Sequence, residues 1–134
     1  MERSTRLAAH ADGRDGMTHS ELLAAIQLAY SKGSTRLLKV NCGEAWAGRV
    51  VSRTASVLVL ADYRHIQMTM AGVSDLVGWS PGPQAMAVFT AIEGKTGRGR
   101  LTVEQSAFLD LVASVGGRAG VARSVEDAGK ILRV

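Results

Sequence analysis

The sequence predicts an α/β domain in which helices pack on a central mixed sheet of about four or five strands. Short apolar runs of strand length alternate with segments of helical periodicity, in the order helix, strands, helix, strand, helix. The 134 residues suffice for one domain with a core and are too few for two ordinary ones. A hydrophobic fraction of 46% and a charged fraction of 21% are typical of a soluble globular protein.

The composition also excludes several classes of protein. No apolar run approaches the roughly 18 residues that a membrane helix needs, and residues 1–17 lack the apolar segment of a signal peptide. The single cysteine, Cys42, excludes an internal disulfide and a cysteine-rich zinc site. We therefore expect a cytoplasmic protein without a membrane partner. The formal charge of +4 modestly favours a polyanionic partner.

The chain begins with a segment that has no regular period. Residues 1–17 mix charged residues with glycine, which predicts a flexible arm before a domain over residues 18–134. A first helix starts at Thr18, where Thr18 and Glu21 fit a capping box in which the glutamate bonds back to the helix start. Its apolar residues at helical spacing are Leu22, Leu23, Ile26 and Tyr30.

Strands and loops follow the first helix. Arg36–Asn41 predicts a strand, and the glycine-flanked Trp46 is expected in the loop after it. Ser56–Ala61 is a short apolar run that fits either an extra strand or a helix fragment. Asp62–His65 is interpreted as a polar insertion.

Two later strands carry charged side chains that are predicted to share a surface. A turn rich in Gly and Pro, Trp79–Gln84, separates Gly72–Val77 from Ala91–Lys95, which predicts an antiparallel pair. Because strand side chains repeat every two residues, Glu93 and Lys95 share one face of the second strand. A near-symmetric hairpin then sets Asp75 opposite Glu93, with Cβ atoms about 4.5–5.5 Å apart.

This juxtaposition of charges indicates a chemistry. Two carboxylates so close repel each other, so they need a cation between them or one must take up a proton. Mg²⁺ meets that need, because it prefers oxygen ligands from one or two carboxylates and keeps waters for chemistry. Lys95 would then orient or help deprotonate an attacking water and offset phosphate charge. Asp75, Glu93 and Lys95 therefore fit phosphodiester hydrolysis.

A basic loop and a second helix follow Lys95. Arg98 and Arg100 lie among glycines, in what is either a solvated turn or a phosphate-binding loop. Thr102 starts the helix, whose predicted core stripe is Phe108, Leu111, Val112 and Val115. Gln105 lies on the inward side, where a polar group requires a partner. One candidate is the cap, since Thr102 and Gln105 fit a capping box.

The last part of the chain is interpreted as scaffold. Gly116 and Gly117 end the second helix, and Ala119–Arg123 predicts a short strand. Ser124 then caps a final helix.

Together these pieces resemble the virus-type replication-repair nuclease (VRR-NUC) branch of the PD-(D/E)XK nuclease superfamily. The resemblance covers residues 18–133, and its matching pieces are Gly72-x-x-Asp75, Glu93-x-Lys95, Thr102-Val103-Glu104-Gln105, the Glu21-bearing helix and the closing segment from Gly116 to Asp127. It implies a restriction-endonuclease-like core. In two places the chain departs from the family: Ser74 stands where members often carry Pro, and Gly94 where they often carry an aliphatic residue.

The resemblance implies a DNA endonuclease that uses Mg²⁺ or Mn²⁺. Glu21, Asp75 and Glu93 would bind the metal, and the backbone carbonyl of Gly94 is available as a further ligand. Glu21 cannot both bind metal and complete a capping box, and the pattern leaves the two roles open.

The resemblance also implies a second partner for Gln105, namely a phosphate oxygen or Lys95. We favour this role because Glu93, Lys95 and the start of the second helix converge across a short loop.

The expected partner is DNA. The position of Arg98 and Arg100 beside Lys95 favours contact with DNA, and Arg123 is a further candidate. In the family that the chain resembles, the region of Trp46 faces substrate, so Trp46 would stack on a base or sugar, although a lone Trp more often covers the edge of a core. Small stand-alone members look like phage enzymes that act as homodimers on branched DNA such as four-way (Holliday) junctions, in DNA repair.

Two alternatives stay open. One is a non-catalytic basic module of the same fold that binds nucleic acid. The other is a nuclease for linear or single-stranded DNA or for RNA.

Overall fold

The computed structural model describes residues 16–40, 44–67 and 70–134. In order, the elements are α1 His19–Tyr30, β1 Arg36–Lys39, β2 Glu44–Arg53, β3 Leu58–Gln67, β4 Leu76–Pro81, β5 Ala87–Gly94, α2 Val103–Ser114, β6 Arg118–Ala122 and α3 Val125–Leu132. None of the helices in these ranges is long and apolar enough to cross a membrane. The predicted arm falls almost wholly on residues 1–15, which lie outside the described residues, as does Cys42. The predicted division at residue 17 stays a prediction.

Four strands form a mixed sheet in the order β1-β4-β5-β6. β1 and β5 each pair antiparallel with β4, whereas β6 runs parallel to β5. A parallel pair requires a crossover, and α2 supplies it between β5 and β6. β2 and β3 form a separate antiparallel ribbon. The predicted α/β class, the mixed central sheet and the order of helices and strands are confirmed.

Helices cover both faces of the sheet because side chains alternate along its strands. α1 and α3 pack on one face, against Leu76 and Ile92. α2 packs on the other face, where Leu109 and Val112 meet Ala91. The large apolar side chains that are fully buried all belong to the α1–α3 side: Leu22, Leu23, Ile26, Leu37, Leu76 and Ile92. Each contributes about 1.5–3 kcal/mol on burial, which fixes α1 firmly against the sheet.

The β4–β5 hairpin is longer than predicted. β4 continues through Trp79 to Pro81, and the chain turns only after Gly82, through a short 3₁₀ helix at Pro83–Ala85. The turn predicted for Trp79–Gln84 was therefore placed too early. Proline is tolerated here because it is the last residue of its strand, paired with Ala87.

The β2–β3 ribbon corrects the interpretation of two further segments. Trp46 lies in β2 and not in a loop, and Asp62–His65 belongs to β3 and is no insertion. Of the two alternatives for Ser56–Ala61, the strand is correct from Leu58 onward. A bulge hides the alternation: Asp62 has φ +51, and a Cβ on Gly48 would lie 2.9 Å from the carbonyl oxygen of Ala61.

The buried stripe of α2 differs from the predicted one at two positions. Leu111 and Val115 are 58% and 77% exposed, whereas Leu109 and Val112 are buried and Phe108 is partly buried. The stripe therefore begins one turn earlier, at Gln105, and follows from it at i+3, i+4 and i+7.

The loop before Asp75 touches the first turn of α2, and this contact depends on Gly72. Gly72 has φ +82, and a Cβ on it would clash with the backbone carbonyl of Glu104. A side chain here would therefore be strained and would push the loop away from α2.

We expect Gly72→Ala to lower the free energy of unfolding by about 2–4 kcal/mol, as measured by urea denaturation. Gly33→Ala is the matched control, because Gly33 also has a positive φ, +60, but its Cβ would meet open space. The control should lose only about 1 kcal/mol. Equal losses in the two variants would show that the α2 contact does not constrain this loop.

Candidate active site

Asp75 and Glu93 meet at the edge where β4 begins and β5 ends. The register pairs Leu76 with Ile92, so one step further sets Asp75 across from Glu93, as predicted for a near-symmetric hairpin. The backbone N–H of Asp75 donates to Glu93 Oε2 at 3.2 Å. The backbone N–H of Gly94 donates to Asp75 Oδ2 at 2.9 Å. Each carboxylate is thus held by the backbone of the opposing strand.

The environment of Glu93 opposes its ionisation. Its side chain is only 3% exposed. The pKa of Glu93 is raised from 4.5 to about 7. The largest cause is burial, followed by the negative charge of Asp75 and by a hydrogen bond between the two side chains. The charge of Lys95 and the backbone N–H of Asp75 lower it, but by less. Crowded oxygen donors of this kind fit a hard divalent cation such as Mg²⁺ or Mn²⁺, which would relieve the repulsion.

Gln105 connects Glu93 to Lys95. Its Nε2 donates to Glu93 Oε1 at 2.9 Å, and its Oε1 accepts from Lys95 Nζ at 3.0 Å. Lys95 Nζ also lies 3.5 Å from Glu93 Oε1, and its side chain is largely buried. The three side chains form a closed polar triangle, so the amine has a fixed place beside the carboxylate.

Gln105 also caps α2. The N–H of Thr102 donates to Gln105 Oε1 at 3.0 Å, and the N–H of Gln105 donates to the Thr102 hydroxyl at 3.1 Å. The cap and the contact with Lys95 are therefore both present, because the amide oxygen accepts from two donors at once. The start of α2 is thereby tied to the carboxylate pair.

Gly94, where the resemblance leads one to expect an aliphatic residue, lies close to side chains of α1 and to Asp75. A Cβ at this position would lie 2.7 Å from Leu23 Cδ2 of α1. It would also lie 3.6 Å from both Asp75 Oδ2 and His19 Nε2. A side chain here would require the end of the Leu23 side chain to shift, so α1 packs closely on the end of β5.

His19 is the site residue that sequence reasoning missed. Its Nε2 lies 3.0 Å from Asp75 Oδ2, with the imidazole 46% and the Asp75 side chain 23% exposed. No local pattern marks this contact, which joins residues 56 positions apart. The one available signal was its position at the start of the helix that the resemblance assigned to the site.

Glu21 lies in the first turn of α1, and its side chain is exposed. Its N–H donates to the Thr18 hydroxyl at 3.2 Å, which is one half of the predicted capping box. Among the described residues, no contact between its carboxylate and Asp75 or Glu93 is seen. These residues also contain no group of three or more His, Cys, Asp or Glu side chains placed to hold a metal ion. The metal-binding role of Glu21 stays a prediction.

The basic loop after Lys95 is fixed by Arg123. The Arg123 guanidinium donates to the carbonyls of Gly97 at 3.3 Å and Gly99 at 2.6 Å. Arg98 lies between these two glycines, and both Arg98 and Arg100 are exposed. The loop therefore presents two exposed arginine side chains close in sequence to Lys95.

Trp46 belongs to an exposed aromatic cluster on the ribbon. It lies edge-on to Tyr63, with ring centroids 5.6 Å apart, and its centroid is 4.7 Å from that of His65. The indole is 52% exposed. Among the described residues, no hydrogen bond, ion pair or ring contact joins this cluster to Asp75 or Glu93. The contacts of Trp46 with Tyr63 and His65 were not predicted, because that segment was interpreted as a polar insertion.

In metal-free buffer, we expect the free energy of unfolding to fall as the pH rises from about 5 to about 8. The raised pKa of Glu93 means that the folded state binds this proton more tightly than the unfolded state. The stabilisation is complete below the ordinary pKa of 4.5 and lost as the pH rises through the folded value of about 7. At about 1.36 kcal/mol per pKa unit, the group accounts for roughly 3 kcal/mol.

Urea denaturation at several pH values in EDTA measures this dependence. Glu93→Gln should flatten it, because the titrating group is gone. Glu104→Gln, which removes an exposed carboxylate at the start of α2, should leave it as in the wild type. An undiminished slope in Glu93→Gln would assign the pH dependence to another group.

Comparison with known families completes the description of the site. The VRR-NUC domain family matches residues 18–126, which is more than half of the chain and includes every side chain of the Asp75–Glu93–Lys95–Gln105 cluster. Curated proteins and solved structures yield no match. The family implies a nuclease-type function, and the mixed sheet with flanking helices is the restriction-endonuclease-like fold. The chain therefore belongs to the VRR-NUC family of nuclease domains.

Proposed function

We propose that this protein is a DNA endonuclease that hydrolyses phosphodiester bonds with Mg²⁺ or Mn²⁺. The observation that carries the proposal is the pairing of Asp75 with Glu93, one of which has its pKa raised to about 7, beside a fixed amine. A folded protein that crowds two acids in this way gains stability when a cation binds between them.

Asp75 and Glu93 would hold the cation, and Glu21 and the backbone carbonyl of Gly94 are the further ligands that we propose. A bound divalent cation acts as a Lewis acid towards a phosphoryl oxygen and lowers the pKa of a bound water. The rest of the chemistry depends on groups that the chain itself places.

We propose that Lys95 orients or helps deprotonate the attacking water and offsets the negative charge of the phosphate. Its ammonium is held by Gln105 Oε1 at 3.0 Å and lies 3.5 Å from Glu93 Oε1. A donor already fixed in a mostly buried position needs little reorganisation when negative charge develops on the phosphate. Gln105 is then a positioning residue, which keeps the amine and the carboxylate at a constant separation.

The DNA-binding groups that we propose lie on two surfaces. Arg98 and Arg100 would contact phosphates next to the scissile bond, because their loop follows Lys95 and is held in place by Arg123. Arg123 acts through this loop, since two of its nitrogen atoms already bind carbonyls. Trp46 offers an exposed ring on which a base could stack.

We extend the proposal to a branched DNA substrate and a homodimeric enzyme of the phage type. Two identical active sites related by a twofold axis would reach opposing strands of a four-way junction. Support for this extension comes from the resemblance to small stand-alone members of the family. Recognition would depend on DNA shape, because phosphate contacts such as those proposed for Arg98 and Arg100 carry no base information.

We expect the protein to cleave a four-way junction faster than equal amounts of linear duplex, single-stranded DNA or RNA. Cleavage should require Mg²⁺ or Mn²⁺ and stop in EDTA. Lys95→Ala should reduce the rate about 10²–10³-fold, because it removes one charge-stabilising donor. Lys130→Ala should cleave like the wild type, since this lysine is 81% exposed on α3.

The outcomes separate the alternatives. A junction cut no faster than linear DNA would remove the preference for branched substrates. If nothing is cleaved, and if Mn²⁺ does not raise the melting temperature of the wild type relative to Glu93→Ala, the protein is a non-catalytic binding module whose acids pair with Lys95.

Binding without cleavage tests the basic loop. In EDTA, the variant with both Arg98→Ala and Arg100→Ala should bind every DNA more weakly, since phosphate contacts do not depend on sequence. The slope of log affinity against log salt should fall by about 2, or about 0.9 for each lost contact. Lys130→Ala again serves as the control. A slope equal to that of the wild type would place the DNA elsewhere.

A further inference from the structure

The Asp75 carboxylate is held at one oxygen by two donors from different elements. The backbone N–H of Gly94 donates to Oδ2 at 2.9 Å, and His19 Nε2 lies 3.0 Å from the same atom. Both contacts are made to the same oxygen, Oδ2. The carboxylate is therefore oriented before any cation binds.

The backbone that carries His19 is itself fixed. His19 is the first residue of α1, where the Thr18 hydroxyl caps the helix by accepting the N–H of Glu21. Leu22 and Leu23, within the next turn, are 2% and 1% exposed in the core. The imidazole thus reaches Asp75 from an anchored helix start, unlike a surface ion pair between two long mobile side chains.

Gly94 lies directly beside this contact. A Cβ there would lie 2.7 Å from Leu23 Cδ2, so the end of the Leu23 side chain would have to shift. The same Cβ would lie 3.6 Å from both His19 Nε2 and Asp75 Oδ2. The start of α1, the end of β5 and the Asp75 carboxylate are therefore packed closely together.

We propose that His19 is a positioning residue of the metal site, which anchors the Asp75 carboxylate through Oδ2 and so holds it in place to bind the cation together with Glu93. The inference rests on the proposed metal-dependent function and adds a residue from α1 to it. Groups that hydrogen-bond to a metal ligand fix its orientation, and losing one typically weakens metal binding about 10–100-fold.

The test measures Mn²⁺ affinity of the full chain by titration calorimetry, with the Mn²⁺ electron paramagnetic resonance signal as a second readout. His19→Ala should bind Mn²⁺ at least about tenfold more weakly than the wild type. His19→Gln places an amide N–H near the position of Nε2 and should recover most of the affinity. His65→Ala removes another exposed imidazole and should bind like the wild type, which controls for adventitious binding to histidine.

Circular dichroism and melting temperature establish that each variant is folded, and the comparison is made among folded variants. An affinity in His19→Ala within about twofold of the wild type overturns the proposal. So does a His19→Gln variant as weak as His19→Ala, because the imidazole would then do more than donate a hydrogen bond.

The outcome is separable from that of the nuclease assignment. If the wild type cleaves DNA with Mn²⁺ and His19→Ala binds the metal equally well, only the role of His19 falls. If His19→Ala weakens Mn²⁺ binding but no substrate is cut, the positioning role stands and the nuclease proposal falls. A wild type that binds no Mn²⁺ overturns both.

Discussion

The antiparallel register of β4 against β5 is the constraint on which the site depends. It sets Asp75 opposite Glu93, and the geometry of the strands then leaves the two carboxylates no means of separating. The pair opposes folding, since burial and mutual repulsion raise the pKa of Glu93. The register holds nevertheless because Leu76 and Ile92, the adjacent pair, are fully buried against α1 and α3. The core thus maintains an arrangement that the charges alone would not adopt.

Gln105 connects the start of α2 to Glu93 and Lys95. One amide caps the helix, binds Lys95 and binds Glu93, so its three functions cannot be changed separately. Its orientation is determined by its partners: the oxygen faces two donors and the nitrogen faces a carboxylate. A movement of α2 would therefore change the distance between the ammonium and the acid. Helix stability and active-site geometry are coupled through this single side chain.

The sequence predicted the parts of the site that depend on local periodicity. Alternation was enough to place Glu93 and Lys95 on one side, and helical spacing put Gln105 on the inward stripe. The sequence did not predict the features that depend on tertiary packing. Leu111 and Val115 fit a helical stripe but face solvent, since the stripe of α2 starts at Gln105. His19 could not be found, because its partner lies 56 positions away and is reached only once α1 packs on the sheet.

The two departures from the family pattern, Ser74 and Gly94, are both unfavourable for the stability of the fold. Ser74 is fully buried, and its hydroxyl has no hydrogen-bond partner among the described residues, which typically costs about 1–3 kcal/mol. Gly94 weakens the end of β5, and Glu93, the residue before it, is a buried acid. A cation would relieve the repulsion at Glu93 but not the burial of the Ser74 hydroxyl. Unfavourable terms that cluster where β4 begins and β5 ends indicate a region shaped by binding more than by stability.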